Sequence, residues 1–324
     1  DHIISSSNIY GGTMNLLAVT LKKMGIECTF VDPDASIEEL QGLVKDNTKL
    51  VFAETIANPS LVVADLEKLA KFAHYNDLPL IVDNTFATPI NCRPIEHGAD
   101  IVLHSTSKYM DGHATSLGGI VIDAGTYDWT NGKFPELTEP DPVYQGIRYV
   151  ETFGNAAYIA KARAQYLRDF GACQSPFNAF LLNIGLETLH LRMERHCSNA
   201  LALAEFLRNH KRVKWVVYPG LADSPEKIRI KRYFRYLGGG GVLTFGLSGD
   251  VQTARKFVKK LKIASLVVHV GDARTGVLHP ATSTHSQMTD VQQIESGVTK
   301  DMIRVSVGIE DINDLLADFD QALG

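Results

Sequence analysis

The sequence predicts an α/β protein, with a mainly parallel sheet carrying helices on both faces and a smaller C-terminal α/β domain behind it. Two observations carry this expectation. Apolar runs such as Pro79-Leu-Ile-Val-Asp83 and Asp100-Ile-Val-Leu-His104 are continuous and β-branched rather than alternating, as in strands buried on both faces. Between them lie segments with apolar residues at helical spacing, so strand and helix alternate along the chain. At 324 residues the chain is long enough for two domains and a large core.

Tyr10-Gly-Gly-Thr13 opens a helix in which Met14, Leu17, Leu21 and Met24 recur on one face. A strand is expected over 26–31, and Ser36 with Glu39 forms a capping box ahead of Leu40, Leu43 and Val44. A short apolar strand spans 49–54. Asp65 caps a helix that turns Leu66, Leu69, Ala70 and Ala73 inward, and strands follow over 79–83, 100–104 and 118–122. Residues 125–150, with Pro135, Pro140 and Pro142, read as a long surface loop or insertion. Helices are expected over 155–170 and 177–210, the second in two pieces past Gly185. The remainder carries strands near 213–217, 242–247, 264–270 and 302–307, with helices near 251–261 and 311–322. A boundary near residue 185 separates a larger domain (1–185) from a smaller one (186–324).

Composition narrows the function. The net charge is −5, which argues against a nucleic-acid coat protein or a polybasic membrane binder. No apolar run approaches the roughly 18 residues of a membrane helix, and the first ten residues lack the features of a signal peptide. Cys28, Cys92, Cys173 and Cys197 lie far apart with no CxxC pair, as expected of reduced thiols in a cytoplasmic protein. The basic run Lys227–Arg235 reads as a solvated face, and Gly238–Gly241 as a flexible approach to a strand rather than a phosphate loop. No GxGxxG opens the αβ pattern, against a nicotinamide dehydrogenase. His104 and His113 lack carboxylate or cysteine neighbours at ligand spacing, so no metal site is expected.

The informative feature is a pair of strand ends. Asp83 closes one apolar strand and Lys108 follows another, 25 residues apart, so a parallel sheet brings both to one edge. Ligands bind beyond that edge in such folds. An arbitrary Asp and Lys there would be a salt bridge, or a solvated lysine on a loop. The sharper reading is a pyridoxal 5'-phosphate site, with the lysine forming a Schiff base and the carboxylate keeping the pyridine nitrogen protonated. The surroundings favour it: hydroxyls of Ser105 and Ser107 flank Lys108, Asn58 follows another strand, and Tyr10 offers an aromatic ring at a Gly-rich helix start. Arg304 lies in an apolar strand of the small domain, where it needs a partner. That partner is either an acid such as Glu310 or Asp311, or a substrate carboxylate.

The motifs YGGT (10–13), ETIANPS (54–60), VDNTFATP (82–89) and HSTSKY (104–109), in this order, resemble the Cys/Met-metabolism family of pyridoxal-phosphate enzymes, of the aspartate-aminotransferase fold type I. The likeness spans essentially the whole chain. It implies that Lys108 is the Schiff-base lysine and proton shuttle and that Asp83 partners the pyridine nitrogen. Asn58 would bond the ring oxygen, Ser105 and Ser107 the phosphate. Tyr10 would stack on the ring and assist proton transfer, with Glu54 a carboxylate just behind the site. Met302-Ile-Arg-Val-Ser-Val-Gly-Ile-Glu310 also resembles the family, implying that Arg304 clamps the substrate α-carboxylate. The segment His279–His285 resembles its substrate loop, with Thr282 near that carboxylate.

Residues 175–196, the Pro-rich stretch ending Tyr144-Gln-Gly146, and HPATSTH (279–285) are similar to the O-acetylhomoserine sulfhydrylase branch. That branch implies γ-replacement on O-acetyl-L-homoserine by sulfide or methanethiol. Cystathionine γ-synthase and the γ-lyases, methionine γ-lyase among them, share every named residue, though Gly12 stands where some γ-lyases carry cysteine. Ser107 replaces a more usual threonine, and Asp111 stands where glycine is common. The family implies a homotetramer, a dimer of dimers. It also implies an N-terminal segment with a Tyr-x-Arg pair and a Ser-Gly-Met-Ala turn, both reaching phosphate, and this sequence contains neither. It begins at Asp1, which leads to the expectation of a processed or truncated chain with weakened cofactor affinity; a non-catalytic apo fragment is the alternative of another class.

Overall fold

The computed structural model describes residues 1–235, 238–284, 286, 289, 293 and 297–324. Six strands, β1 (His2–Ser6), β2 (Glu27–Val31), β3 (Thr48–Glu54), β4 (Leu80–Asp83), β5 (Ile101–Ser105) and β6 (Gly119–Asp123), form one sheet in the order β2-β1-β3-β4-β5-β6. All its pairs are parallel except β5–β6. Because β2 and β3 flank β1 on opposite sides, the strand order reverses at β1/β3, the crevice where open α/β sheets bind ligands.

Both faces are covered, as the continuous apolar runs require. Ile4, Val51, Ala53, Leu80 and Val82 pack on one side against Leu66, Leu69 and Phe72 of the helix Leu66–Tyr75. Each such side chain contributes about 1.5–3 kcal/mol by leaving water. That helix starts where the sequence says, with the Asp65 side chain accepting from the Lys68 N–H. The capping box at Ser36 and Glu39 is also present, with both reciprocal bonds formed.

Several expectations are corrected. β1 was not expected: its His2, Ser5 and Ser6 are polar yet buried, and the His2 ring bonds Thr48 and Thr29 on the neighbouring strands at 2.8 Å each. Met24 faces solvent because the helix from Gly11 loosens into wider and then tighter turns before Gly25, which rotates it off the apolar face. Residues 125–150 are not a surface loop: Trp129, Phe134, Leu137 and Tyr149 are buried with Ile101 in a core of their own. The long helical stretch breaks at Thr188, between Pro176–Glu187 and Leu189–Arg208. Gly185 lies within the first helix, where a Cβ would come 2.4 Å from the Met110 carbonyl oxygen.

The C-terminal sheet, β7 (Val213–Val217), β8 (Val242–Leu247), β9 (Ser265–Leu266), β10 (Gly276–Leu278) and β11 (Met302–Ser306), has the order β7-β8-β11-β10-β9 and is antiparallel except for β9–β10. β9 is far shorter than the expected 264–270, and β10 was not foreseen. The Gly run before β8 is close-packed rather than flexible: a Cβ on Gly241 would stand 2.6 Å from the Tyr109 hydroxyl. Nor is the basic run a solvated face. It forms the helix Lys227–Tyr233, buries Ile230 and Tyr233, and spends Arg229 on Asp34, Arg232 on Glu67 and Arg235 on Glu96. No helix among the described residues is long and apolar enough to cross a membrane.

Candidate active site

The β3–β4–β5 register fixes the site. Glu54 stands opposite Asp83, and Asp83 opposite Leu103, so the carboxyl ends of three parallel strands deliver Glu54, Asp83 and the Ser105–Lys108 turn to one edge. Tyr10 arrives there from the loop after β1 and donates its N–H to Glu54 Oε1 at 2.7 Å. Arg304 comes from β11 of the other sheet, its Nη1 3.4 Å from Asn58 Oδ1 and its Nη2 donating to the Val268 carbonyl at 2.9 Å. Arg304 and Asn58, 246 positions apart, thus meet at this edge.

The electrostatics suit an incoming cofactor with an anionic amino-acid substrate. Burial, and then the Arg304 charge, push the Lys108 amine below the usual lysine range. Its ammonium makes no hydrogen bond or ion pair among the described residues, which removes the salt-bridge alternative. Burial raises the Asp83 carboxyl, opposed by the Thr85 hydroxyl and N–H. Both of those bonds fall on Oδ1, at 2.5 and 2.9 Å, leaving Oδ2 as the unengaged acceptor. Glu54 is raised further, by burial and then by the Asp83 charge, against the N–H groups of Tyr10 and Asn58. Of the two neighbouring acids, Glu54 is the more strongly raised.

Arg304 is buried, and desolvation brings its guanidinium down to about 10. The proposed structural partners do not reach it: Glu310 accepts from the Thr275 N–H and hydroxyl, and Asp311 accepts from the Asn313 N–H. A buried guanidinium without an acid can take a carboxylate at little further desolvation cost.

Other expected residues are placed less directly. The Ser107 hydroxyl donates to the Gly118 carbonyl at 3.3 Å and accepts its N–H at 3.0 Å, while the Ser105 hydroxyl has no partner among the described residues. Tyr10 keeps its ring exposed, 55% of its surface being accessible, as a stacking face must be. The Thr282 hydroxyl bonds His279 Nδ1 at 2.8 Å, and the Arg304 guanidinium bonds Asn58 and Val268 instead. His285, at the end of that expected loop, lies outside the described residues. His113 bonds the Asp111 carbonyl at 2.9 Å, whereas His104, read as a local hydrogen-bonder, leaves Nδ1 buried without a partner, and burial brings the ring down to about 4. Asp111 ties the loop after Lys108, accepting from the N–H groups of His113 and Thr115 and from the Thr115 and Ser116 hydroxyls. Among the described residues no group of three or more His, Cys, Asp or Glu could hold a metal ion.

Two residues of the site escaped sequence reasoning. Arg192, buried in the long helix, donates to the carbonyls of Tyr109 at 2.7 Å and Gly185, with Nε bonding Thr188 Oγ1 at 3.1 Å. It staples the Lys108 turn to the helix break. Its signal was its place on the apolar stripe Leu189, Arg192, Met193, His196. Thr85 is the second, since its Oγ1 accepts the Ser105 N–H at 2.8 Å while donating to Asp83. It locks two strand ends together, and the Asp-x-Thr spacing immediately after a strand was the cue. Thr85→Val removes one hydrogen bond to the half-buried Asp83 carboxyl, worth about 1.5–3 kcal/mol when that group is charged. The Asp83 carboxyl should then rise further, because the hydroxyl that holds it down is gone. Carboxyl carbon-13 titration of the labelled protein checks this, and an unmoved midpoint contradicts it.

This donor set fits pyridoxal phosphate: an unpaired desolvated amine for the aldehyde, a half-buried carboxylate for the ring nitrogen, and serine hydroxyls for phosphate. The comparisons agree. The model of the family described as Cys/Met metabolism PLP-dependent enzyme matches residues 1–324. A homocysteine synthase of Schizosaccharomyces pombe is 50% identical, the match spanning all of this chain and 76% of its own length. An O-acetyl-L-homoserine sulfhydrylase of Leptospira meyeri is 45% identical over 99% of this chain and 74% of its own. A Campylobacter jejuni crystal structure, assigned as an O-acetylhomoserine (thiol)-lyase and containing N'-pyridoxyl-lysine-5'-monophosphate, superposes with a TM-score of 0.95. Its sequence is 37% identical, and the match covers all of this chain and 77% of that one.

Proposed function

The chain belongs to the Cys/Met-metabolism family of pyridoxal-phosphate-dependent enzymes, and on that premise we infer that it is an O-acetylhomoserine sulfhydrylase. It converts O-acetyl-L-homoserine and sulfide, or methanethiol, to homocysteine, or methionine, and acetate. The observation that carries this reading is its likeness, across the whole chain, to relatives named for that synthesis, at 43–50% identity. When bound, pyridoxal phosphate supplies an aldehyde for the lysine amine and an electron sink for the bonds at Cα.

The residues of this chain take the following parts. Lys108 Nζ holds the cofactor covalently and, once displaced by the amino acid, takes the Cα proton; its desolvation lowers the amine toward the free base that this role needs. Asp83 presents Oδ2 to the ring nitrogen. Asn58 bonds the ring oxygen, Ser105 and Ser107 hold phosphate, and Tyr10 stacks and assists proton transfer. Arg304 binds the substrate carboxylate, with Thr282 nearby, a role supported by the missing acid partner. Glu54 holds the Tyr10 backbone in place. These roles place the reacting atoms and leave the electronics to the cofactor.

The proposal includes a homotetramer, a dimer of dimers. Exposed Phe170, Phe177, Phe180 and Ile184 on neighbouring helices support self-association. It includes a cytoplasmic location, supported by four free cysteines, and a division into domains at 185/186, supported by the helix break at Thr188. With O-acetyl-L-homoserine and sulfide, the purified protein is expected to form homocysteine and acetate in equal amounts. Release of 2-oxobutyrate and ammonia instead, or a preference for cysteine with cystathionine as product, would contradict the reading.

A further inference from the structure

An α-amino acid carries its amine and its carboxylate on one carbon, so the groups that receive them must be held at one fixed separation. Lys108 follows β5 and Arg304 lies in β11, strands of different sheets that no strand pairing joins. A third element touches both. It is the helix Leu189–Arg208, 20 residues without Gly or Pro. Arg192, His196 and Asn199 on it are spaced four and three apart, so they share one face, and all three are buried.

At one end of this polar stripe, Arg192 donates to the Tyr109 carbonyl at 2.7 Å and the Met110 carbonyl at 3.4 Å, the two residues that follow Lys108. The fit is close: a Cβ on Gly112 would stand 2.2 Å from Arg192 Nη1. One turn on, His196 Nδ1 donates at 2.6 Å to the carbonyl of Val307, three residues past Arg304. That is the ring's only hydrogen bond among the described residues, since Nε2 is buried without a partner. The same ring meets that of Tyr109 edge-on, with centroids 5.1 Å apart. Asn199 Nδ2 then donates to the carbonyls of Gly308 at 3.1 Å and Glu310 at 2.9 Å. From Arg192 to Asn199 the helix spans about 10 Å, a length its own backbone hydrogen bonds maintain. An apolar stripe would fill the same core but could not grip these carbonyls.

We propose that this helix sets the separation between Lys108 and Arg304, with Arg192, His196 and Asn199 as positioning residues that hold the lysine turn at one end and the chain leaving β11 at the other. The proposal rests on the functional reading above, which gives Lys108 the amine side of the substrate and Arg304 its carboxylate. A misplacement of about 1 Å between two such groups costs on the order of a hundredfold. Loosening either anchor leaves each group able to meet its own end of the substrate, but not both ends together. The three residues make and break no bond themselves.

Two amines without a γ leaving group separate these cases in the holoenzyme. L-Norvaline carries both amine and carboxylate, and n-butylamine is the same chain without the carboxylate. The binding of each is read from the change it makes in the visible absorbance of the bound cofactor. His196→Leu is expected to weaken L-norvaline at least about tenfold and n-butylamine no more than about threefold. His196→Asn keeps an N–H donor near the Nδ1 position and should bring L-norvaline back to within about threefold of the unaltered protein. Equal losses for the two amines, an unmoved affinity for L-norvaline, or no rescue by asparagine would overturn the proposal. An unaltered holoenzyme that binds both amines equally well would bring down the carboxylate role of Arg304, and the proposal with it. If His196→Leu does not fold, Asn199→Leu is read in the same way, and equal losses there contradict the proposal.

Discussion

Lys108→Ala is expected to lose turnover by at least about a thousandfold, together with the visible absorbance that borohydride removes from the unaltered protein. The turn after β5 sets a half-buried amine at the sheet edge with no acid beside it. Water there is displaced and no counter-ion replaces it, so the free amine is favoured. Alanine removes both the covalent anchor and the base, and the Tyr109 and Met110 carbonyls held by Arg192 keep the backbone of the turn in place. Activity and spectrum should therefore vanish while the fold persists. Retained turnover would contradict the assignment.

Asp83→Asn should bind the cofactor and lose rate by a factor on the order of a hundred to a thousand. The amide is isosteric, and its oxygen can still accept the Thr85 N–H and hydroxyl that fix Oδ1. What changes is the other atom, where an acceptor with negative charge becomes a donor without it. The ring nitrogen then loses the group that keeps it cationic, and the electron sink weakens with it. Protonating the natural carboxyl should have a similar effect. Because burial raises its titration, activity should fall as pH drops through that raised value, earlier than for an exposed aspartate. A near-normal rate in the variant would remove Asp83 from the mechanism.

Much of this site was legible in the sequence because local signals and parallel-strand geometry coincide at its core. Asp83 and Lys108 each stand just past an apolar strand, and a parallel sheet leaves them one edge to share. The cap at Asp65 and the box at Ser36 and Glu39 are contained within four residues, so they read directly. β1 was missed because its buried His2 is satisfied by Thr29 and Thr48, partners distant in sequence. The stretch around Trp129 and Phe134 has loop-like prolines, yet its aromatics find one another and the sheet only in three dimensions. Arg192 reaches a carbonyl 83 positions away. Polar residues that act across such separations leave little periodicity to read.

The covalent bond at Lys108 is the claim on which the mechanism stands, and peptide mapping tests it directly. The purified protein, saturated with pyridoxal phosphate, is reduced with borohydride, digested and examined by mass spectrometry. A pyridoxyl-phosphate adduct on the peptide containing Lys108, confined to that lysine, is the predicted result. An adduct on another lysine with Lys108 unmodified, or no adduct at all, would contradict the account.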